Sequence, residues 1–505
     1  MKFIFRSLAG CFSALVVALA IMGIFHLKSW GKDAGPAIKV DTSALERSPQ
    51  LGTSFAPVVK KVAPSVVNIY STHIIHMRPY RNPFFSDPLF RQFFGDQFGQ
   101  NDNREITRRE QSLGSGVVVS PDGYILTANH VVEDADEIKV AIGDTDDNKE
   151  YTATVVGTDP PTDVAVLKID AKNLPAITLG DSAQLEVGDV VLAIGNPFGL
   201  GQSVTMGIIS GLGRHYGMNG YENFIQTDAA INKGNSGGAL VDADGRLIGI
   251  NTWIASSSGG SEGVGFAVPV NLARHVMQSL IGGGKVTRGY LGIIPEDITP
   301  GLAEGFNLPD QSGALVGDVE TNTPAQKAGI KSGDVILEIN GKKVNDANSL
   351  RLMVSEMEPG TSISVKLLHN GREKTMTVSL AKLPDGIAGT GTPDKNSPLA
   401  NPRTDALDGV TVADLDRQAR AQLQLPPGLQ GIVVTDVDQD SNAADADLRP
   451  NDIIMEINQQ PVRDADNAVK LCAQAKGKWI VLKIWRRVGD LGGTRYLSVD
   501  NTKRK

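Results

Sequence analysis

An internal repeat limits the fold of this chain more than any other feature. The stretch GALVGDVETNTPAQKAGIKSGDVILEINGKKVNDA from Gly313 returns as GIVVTDVDQDSNAADADLRPNDIIMEINQQPVRDA from Gly431, at a constant offset of 118 residues and with about 14 of 35 positions identical. Self-similarity of this length predicts that the C-terminal half is one module in two copies. In a chain of 505 residues, this leaves space for a further domain ahead of the repeat.

The upstream region has the pattern of an all-β domain. Short apolar runs recur between turn signals from Val58 to Val268, and they include SGVVV, YILT, IKVAI, VAVLKI, VVLAI, VTMGIIS and RLIGI. Strands at this spacing predict a barrel or sandwich. The run VNLARHVMQSLI, 270–281, has helical spacing, and the glycines at 282–284 are expected to end both this helix and the domain.

These patterns divide the chain into modules. The all-β domain is expected at 55–284, the first repeat module at 287–382 and the second repeat module at 406–500. The segment 383–405 is rich in Gly, Pro and Asp and has few apolar residues, so it is predicted to be a flexible linker.

One insertion interrupts the all-β domain. Residues 77–110 combine arginines and prolines with six phenylalanines, at positions 84, 85, 90, 93, 94 and 98. The insertion is either a disordered loop or an aromatic contact arm. The second alternative is considered because so many exposed phenylalanines need a partner that buries them.

The N-terminus is typical of an exported protein. Lys2 and Arg6 precede an uncharged run from Ser7 to Leu27, and Ser29-Trp30-Gly31 is a small-x-small cleavage signal. The run is longer than the apolar core of most signal peptides, so 1–31 is either a cleaved signal or a retained membrane anchor.

The composition excludes several classes of function. A net charge of -8 is unlike that of a nucleic-acid-binding chain, and two cysteines do not make a disulfide framework. His73, His76 and His215 are predicted to lie in loops without a cluster of ligands, so we expect neither a metal nor another cofactor.

Three residues could together perform nucleophilic catalysis. His130 follows the strand YILT in TANHVV, Asp163 precedes the strand VAVLKI, and Ser236 lies in INKGNSGGAL. Each has a structural alternative as an ordinary loop or turn residue. A serine hydroxyl needs an imidazole to accept its proton and a carboxylate to orient the imidazole, and all three groups occur in the chain order His, Asp, Ser. The Gly-x-Ser-x-Gly elbow of α/β-hydrolases requires another order and a following helix.

The glycines beside Ser236 suggest a binding site for the oxyanion. The backbone N–H groups of Gly234 and Ser236, with Asn235 between them, can converge on one point only if side chains stay clear of the turn.

These motifs resemble the HtrA (also called Do or Deg) family of trypsin-like serine proteases. The resemblance rests on SGVVVSPDGYILTANHVV, TDVAVLKI, IQTDAAINKGNSGGALVDADGRLIGINT and GVGFAVPVN, followed by the two repeat modules. It implies a mainly β fold, with two six-stranded β-barrels and a catalytic triad between them, and two PDZ domains of the α+β class. It also implies a periplasmic enzyme that degrades unfolded proteins, assembles into trimers or multiples of trimers, and uses the aromatic insertion in contacts between subunits.

The resemblance assigns a peptide site to the first repeat module. Tyr290, Leu291, Gly292 and Ile293 match the PDZ loop whose N–H groups capture the carboxylate of an apolar C-terminal peptide. The matching stretch of the second module, DGVTV at 408–412, departs from this pattern and receives no assignment.

Two further expectations concern specificity and control. Ala230 occupies the base of the primary pocket in a trypsin-like fold, with Ile231 beside it, so we expect cleavage after small aliphatic residues. Asn235 replaces the aspartate that pairs with a new N-terminus in trypsin-like enzymes activated by proteolysis, so activation by N-terminal insertion is excluded. The resemblance indicates instead a relay through Arg214 in the loop 213–223, together with the loop 254–263.

Two functions therefore compete. The first is an exported endoprotease acting on unfolded proteins. The second is a non-catalytic holdase or scaffold that collects clients through its PDZ domains. The residues His130, Asp163 and Ser236 favour the first.

Overall fold

The structure is a computed structural model. It describes residues 36–43, 54–77, 106–143, 149–196, 202–216, 220–232, 234–258, 260–384, 404–407, 409–488 and 491–502. The predicted signal or anchor segment at 1–31 and most of the aromatic insertion lie outside these residues. Across the described part of the chain, no helix has the length and apolar character needed to span a bilayer.

The all-β domain begins with a closed six-stranded barrel. A short helix, α1 (Ala56–Val62), leads into it, and a helix of one turn, α2 (Asn129–Val132), interrupts it. The strands are β1 (Val66–Met77), β2 (Ile106–Val118), β3 (Tyr124–Ala128), β4 (Glu137–Ile142), β5 (Lys149–Asp159) and β6 (Val164–Ile169). Their order around the barrel is β1-β2-β3-β6-β5-β4.

A second closed barrel repeats this topology. Its strands are β7 (Val190–Gly195), β8 (Ser203–Arg214), β9 (Phe224–Thr227), β10 (Ala239–Asp242), β11 (Leu247–Ile254) and β12 (Gly265–Pro269). They are arranged in the order β7-β8-β9-β12-β11-β10. Helix α3 (Val270–Gly283) follows and is capped by Gly284, whose φ of 70° places it in the left-handed region that glycine tolerates.

The two barrels share apolar packing. One buried cluster joins Val117, Leu126 and Val166 of the first barrel to Leu192 and Phe266 of the second. The barrels are therefore fixed against each other, and loops at their junction have a defined geometry.

The first repeat module is a sheet with short helices. It consists of β13 (Gly289–Tyr290), β14 (Ile293–Asp297), α4 (Pro300–Gly305), β15 (Ala314–Val319), α5 (Pro324–Ala328), β16 (Val335–Ile339), β17 (Lys342–Lys343), α6 (Ala347–Ser355), β18 (Ser362–His369), β19 (Arg372–Ser379) and β20 (Ala381–Lys382). The main sheet has the order β14-β15-β16-β18-β19, so β14 is an edge strand, and β13 pairs separately with β20.

The second repeat module has the same plan, but the order of its main sheet includes one more strand. It consists of β21 (Thr404–Leu407), β22 (Val410–Asp414), α7 (Arg417–Gln422), β23 (Ile432–Val437), α8 (Asn442–Asp445), β24 (Ile453–Ile457), β25 (Gln460–Pro461), α9 (Ala465–Gln474), β26 (Trp479–Val488) and β27 (Leu491–Asp500). Its sheet runs β21-β22-β23-β24-β26-β27.

The structure corrects several details of the sequence analysis. His73 and His76 are in β1 rather than in loops, because β1 and β2 extend as a long ladder up to the pair Met77 and Ile106. The ends of the predicted insertion, Met77 and 106–110, are therefore strand. The last two residues of the predicted linker 383–405 belong to β21, since they pair with β22.

Candidate active site

His130 is held at the start of a tight turn beside Asp163. It lies in α2, directly after β3, and its side chain is 44% exposed. Its Nδ1 lies 2.8 Å from Asp163 Oδ2, and its backbone N–H donates to Asp163 Oδ1 at 2.9 Å. Asn129 N–H donates to the backbone carbonyl Asp163 O at 3.0 Å, so one imidazole contact and two backbone contacts hold His130 beside Asp163.

Asp163 is positioned by its backbone. The prolines of a short 3-10 turn, Pro160–Thr162, precede it, and its own φ of 55° is left-handed, a conformation that aspartate tolerates better than most residues. Its side chain is only 9% exposed, and the hydroxyl of Thr252 donates a further hydrogen bond to Oδ2.

The pKa of His130 reflects this environment. Burial lowers the pKa of the imidazole, but the hydrogen bond and the negative charge of Asp163 raise it by more, so the pKa lies above the ordinary value of 6.5. The carboxylate therefore stabilises the protonated ring, which is the form a general base reaches after it accepts a proton.

Ser236 lies on a turn that requires glycine at position 237. A Cβ atom on Gly237, whose φ is 81°, would overlap Ser115 O and Thr127 Oγ1 of the first barrel. Ser115 also holds the turn, since its N–H donates to Ser236 O at 2.8 Å and its hydroxyl to Gly234 O at 2.6 Å. The turn is thus fixed across the junction of the two barrels.

Thr252, which sequence reasoning missed, connects the serine to the carboxylate. The Ser236 hydroxyl donates to Thr252 O at 2.8 Å, while the Thr252 hydroxyl donates to Asp163. Within the described residues, no hydrogen bond joins Ser236 to His130. Thr252 ends the motif RLIGINT, so its only sequence signal was its place on the strand after the serine turn.

The predicted oxyanion site has two free donors. Asn235 N–H donates to Asn232 O at 3.0 Å and is therefore occupied. In the part of the chain that the structure describes, the N–H groups of Gly234 and Ser236 have no acceptor. These two groups could hold a developing negative charge, with Asn235 serving as the spacer.

The predicted pocket residues are apolar or small. Ile231 is 1% exposed and belongs to the core of the second barrel, against Gly265 of β12. Ala230 is half-buried, and its carbonyl accepts from the Thr205 hydroxyl at 2.8 Å. Neither residue brings a carboxylate to this position.

Arg214, the predicted relay, ends β8 and is exposed. Its Nε donates to Gln226 Oε1 at 2.9 Å, on the neighbouring strand. In the two predicted control loops, residues 217–219 and 259 lie outside the described part, and the other residues of both loops are described.

A buried ion pair joins the first repeat module to the loop that carries Asp163. The guanidinium of Arg288 donates two hydrogen bonds to Asp159, at 3.0 and 2.6 Å, and lies 4.4 Å from the centre of the Tyr221 ring. Asp159 is four residues before Asp163, and Arg288 is two before Tyr290. Sequence reasoning missed this pair, because its members are 129 positions apart.

A second contact reaches the loop 213–223. Asn348, on α6 of the first repeat module, donates from Nδ2 to Glu222 O at 2.7 Å in a buried position. The neighbouring Tyr221 N–H donates to Pro161 O at 3.3 Å, beside the turn that holds Asp163.

The predicted carboxylate loop lies at the edge of the first module. Gly292 has a φ of 81°, and a Cβ atom there would overlap the Thr323 side chain. Its carbonyl accepts from Glu320 N–H at 3.0 Å, and Leu291 O accepts from Ala325 N–H at 2.9 Å. The edge strand β14 continues from Ile293, opposite helix α6.

Family comparisons agree with this architecture. A trypsin-like peptidase domain matches residues 114–250, and PDZ domains match 289–380 and 433–486. The barrels and the site therefore define a serine endopeptidase of the trypsin-like class, followed by two PDZ domains. The repeat modules are called PDZ1 (287–382) and PDZ2 (404–500, with β21 included) below.

Relatives show which family this is. A probable periplasmic serine endoprotease DegP-like of Pseudomonas putida (strain GB-1) is 38% identical over 475 residues, covering 92% of this chain and 98% of the relative. The similarly described protein of Chlamydia pneumoniae is 40% identical, covering 89% and 92%. Among solved structures, HtrA-type protease AlgW with decapeptide is 48% identical, with a TM-score of 0.52 over 66% of this chain and 99% of that one. The chain belongs to the DegP-like periplasmic serine endoproteases of the HtrA type.

Proposed function

We propose that this protein cleaves unfolded polypeptides in the periplasm through an acyl-enzyme on Ser236, without ATP. The observation that carries this proposal is the contact between His130 Nδ1 and Asp163, next to a serine on a turn that both barrels hold. Nδ1–H donates to the carboxylate, so Nε2 is left as the base.

The reaction follows from these positions. The Ser236 hydroxyl leaves Thr252 O, gives its proton to His130 Nε2 and attacks the scissile carbonyl carbon. The N–H groups of Gly234 and Ser236 donate to the oxyanion. His130 then protonates the leaving amine, and a water molecule releases the acyl group by the same steps in reverse.

The pocket supports cleavage after small aliphatic residues. With Ala230 at its base and Ile231 nearby, a buried Lys or Arg of the substrate would have no partner for its charge, which costs several kcal/mol. Mass-spectrometric mapping of cuts in a denatured protein tests this assignment, and a majority of cuts after Lys or Arg would contradict it.

PDZ1 is proposed to control the site. An apolar C-terminal peptide bound at Tyr290 to Ile293 would lie close to Arg288, whose partner Asp159 begins the turn that carries Asp163. Arg214 and the loops 213–223 and 254–263 complete the proposed relay. A peptide shifts this equilibrium only if it binds the active arrangement more tightly than the inactive one.

Three further proposals rest on the sequence pattern of the N-terminus and on the family resemblance. The chain forms trimers or multiples of trimers, with the phenylalanines of the aromatic insertion in the contacts. Its N-terminal segment is either removed or retained as an inner-membrane anchor. Binding of unfolded clients without cleavage coexists with proteolysis.

The first test compares the protein with Ser236→Ala on an unstructured substrate. We expect kcat/KM to fall by about 10⁴-fold or more, because the acyl-enzyme is lost. Ser112→Ala, an exposed serine on β2, is the matched control and should keep full activity. Equal persistence of the substrate with the wild type and with Ser236→Ala would favour the holdase.

The pH dependence of kcat/KM tests the base. Only neutral His130 accepts a proton, so activity should be absent at low pH and rise through a pKa above 6.5. In Asp163→Asn the charge that raises this pKa is removed, so the remaining activity should rise at a lower pH and be smaller by about 10⁴-fold. Circular dichroism at each pH separates this effect from unfolding. A midpoint unchanged by Asp163→Asn would contradict the assignment.

A further inference from the structure

PDZ2 contains a strand that has no counterpart in the main sheet of PDZ1. Strand β21 pairs antiparallel with β22, with Thr404 opposite Val412, Asp405 opposite Thr411 and Leu407 opposite Val410. Through this pairing the chain folds back on itself immediately before the loop at Gly409.

The other side of β21 faces helix α9. The strand contacts this helix as well as β22, so it lies in the groove between them. Leu407 is 9% exposed and belongs to the buried cluster that contains Val410, Ala468 and Cys472. The groove between a sheet edge and a helix is where a PDZ domain adds a peptide strand.

The loop at the end of this groove keeps the geometry of the PDZ1 loop. Gly409 has a φ of 77°, close to the 81° of Gly292. Asp438 N–H donates to Gly409 O at 2.8 Å, as Glu320 N–H does to Gly292 O at 3.0 Å. PDZ2 therefore has the shape of a peptide site, although its sequence departs from the PDZ1 pattern.

The direction of β21 is that of a bound peptide. A peptide that pairs antiparallel with the edge strand ends at the loop, and β21 runs toward the loop and ends with Leu407 opposite Val410. In PDZ1 the residues at this point of the chain, Gly289 and Tyr290, pair instead with β20, and β14 remains an edge strand.

We propose that the segment Thr404–Leu407 is the built-in ligand of PDZ2, with Leu407 in the position of a client's C-terminal residue. A segment tethered by so short a turn has an effective concentration of about 1 mM or more, so a free peptide competes poorly with it. PDZ2 is thus closed to client C-termini, whether or not PDZ1 binds them.

Peptide stoichiometry in the full chain tests this proposal. In Ser236→Ala, a peptide that ends in Thr-Asp-Ala-Leu with a free carboxylate is titrated by calorimetry. Leu407→Ala removes the anchor of the segment, and we expect it to bind one more peptide per chain than its parent, because the affinity of PDZ2 for the peptide rises at least tenfold. The measured quantity is the difference in bound peptides per chain between Leu407→Ala and its parent. If PDZ1 fails to bind peptides, both numbers fall equally and the difference is unchanged, so that failure is distinguishable.

Val499→Ala is the matched control, because Val499 lies in the same buried cluster but on β27. It should gain no site. Hydrogen exchange adds a measurement without peptide: the amides of 404–407 should exchange slowly in the parent and at least tenfold faster in Leu407→Ala. A parent that already binds a peptide at PDZ2, an equal gain in Val499→Ala, or rapid exchange of 404–407 in the parent would overturn the proposal.

Discussion

PDZ1 and PDZ2 share a fold but differ in what surrounds them. PDZ1 contacts the barrel domain through Arg288 and Asn348, beside the turn of Asp163 and the loop 213–223. PDZ2 packs instead on PDZ1, where Tyr496 N–H donates to Glu296 at 2.9 Å. Two copies of one module therefore differ in their contacts with the rest of the chain, and the contacts of PDZ1 are the ones beside the candidate active site.

The apolar contact between the two PDZ domains is extensive. Leu302 and Leu315 of PDZ1 share a buried cluster with Val481 and Tyr496 of PDZ2. Helix α4 of PDZ1 lies against β26 and β27 of PDZ2. The two PDZ domains therefore pack against each other through an apolar contact.

The largest expected effect comes from removing an arginine from a buried pair. Arg288→Met leaves Asp159 without its partner, which should destabilise the contact of PDZ1 with the barrel domain by about 3–5 kcal/mol. Peptide stimulation of a reporter substrate should then be lost. The matched variant is Arg486→Met, because Arg486 forms a buried pair with Asp452 inside PDZ2. It should destabilise PDZ2 and leave stimulation in place.

Thermal unfolding and reporter turnover together measure this difference. Adding Asp159→Asn to Arg288→Met should recover part of the lost stability, since no unpaired charge then remains buried. If Arg288→Met and Arg486→Met change peptide stimulation equally, the distinction between the two PDZ domains is wrong.

A smaller effect concerns Glu296 and pH. Burial raises the pKa of Glu296 to about 7, against the hydrogen bond from Tyr496 N–H, which lowers it. A carboxyl with a raised pKa stabilises the fold at low pH, and this contribution falls as the pH increases from about 4.5 to about 7. The loss should be about 2 kcal/mol once solvent screening is allowed for. PDZ2 has Ala413 at the matching position and lacks this group.

Urea unfolding of the protein and of Glu296→Gln across this pH range provides the measurement. The variant cannot ionise at this position, so its stability should depend less on pH. If the free energy of unfolding depends on pH equally in the two proteins, the carboxyl does not titrate in the contact between PDZ1 and PDZ2.

The smallest effect is expected at Asn348. Asn348→Ala removes the hydrogen bond to Glu222 O, which is worth about 0.5–1.5 kcal/mol. We expect peptide stimulation to weaken several-fold with little change in peptide affinity. The repeat places the exposed Asp466 at the same point of PDZ2, so Asp466→Ala is the control and should behave as the wild type. A change in affinity without a change in stimulation would argue against the coupling.

Features that depend on neighbouring residues could be predicted from the sequence. The duplicated module, the closed β-rich domain and the helix from Val270 follow from apolar spacing and turn glycines, which act over a few residues. Ser236, His130 and Asp163 could be proposed because the reaction requires these three groups together, with Ser236 among glycines and the other two beside apolar strands.

Contacts between distant segments could be identified only in the folded structure. Thr252 meets both Asp163 and Ser236, Arg288 meets Asp159, and β21 fills a groove that its own module forms. His73 and His76 became strand residues because β1 and β2 support each other along their whole length. Such contacts depend on how the barrels and modules pack. Apolar periodicity predicts that a face is buried, but it does not predict which distant residue will contact it. The partners of Asp163 and Asp159 described here are 89 and 129 positions away in the sequence.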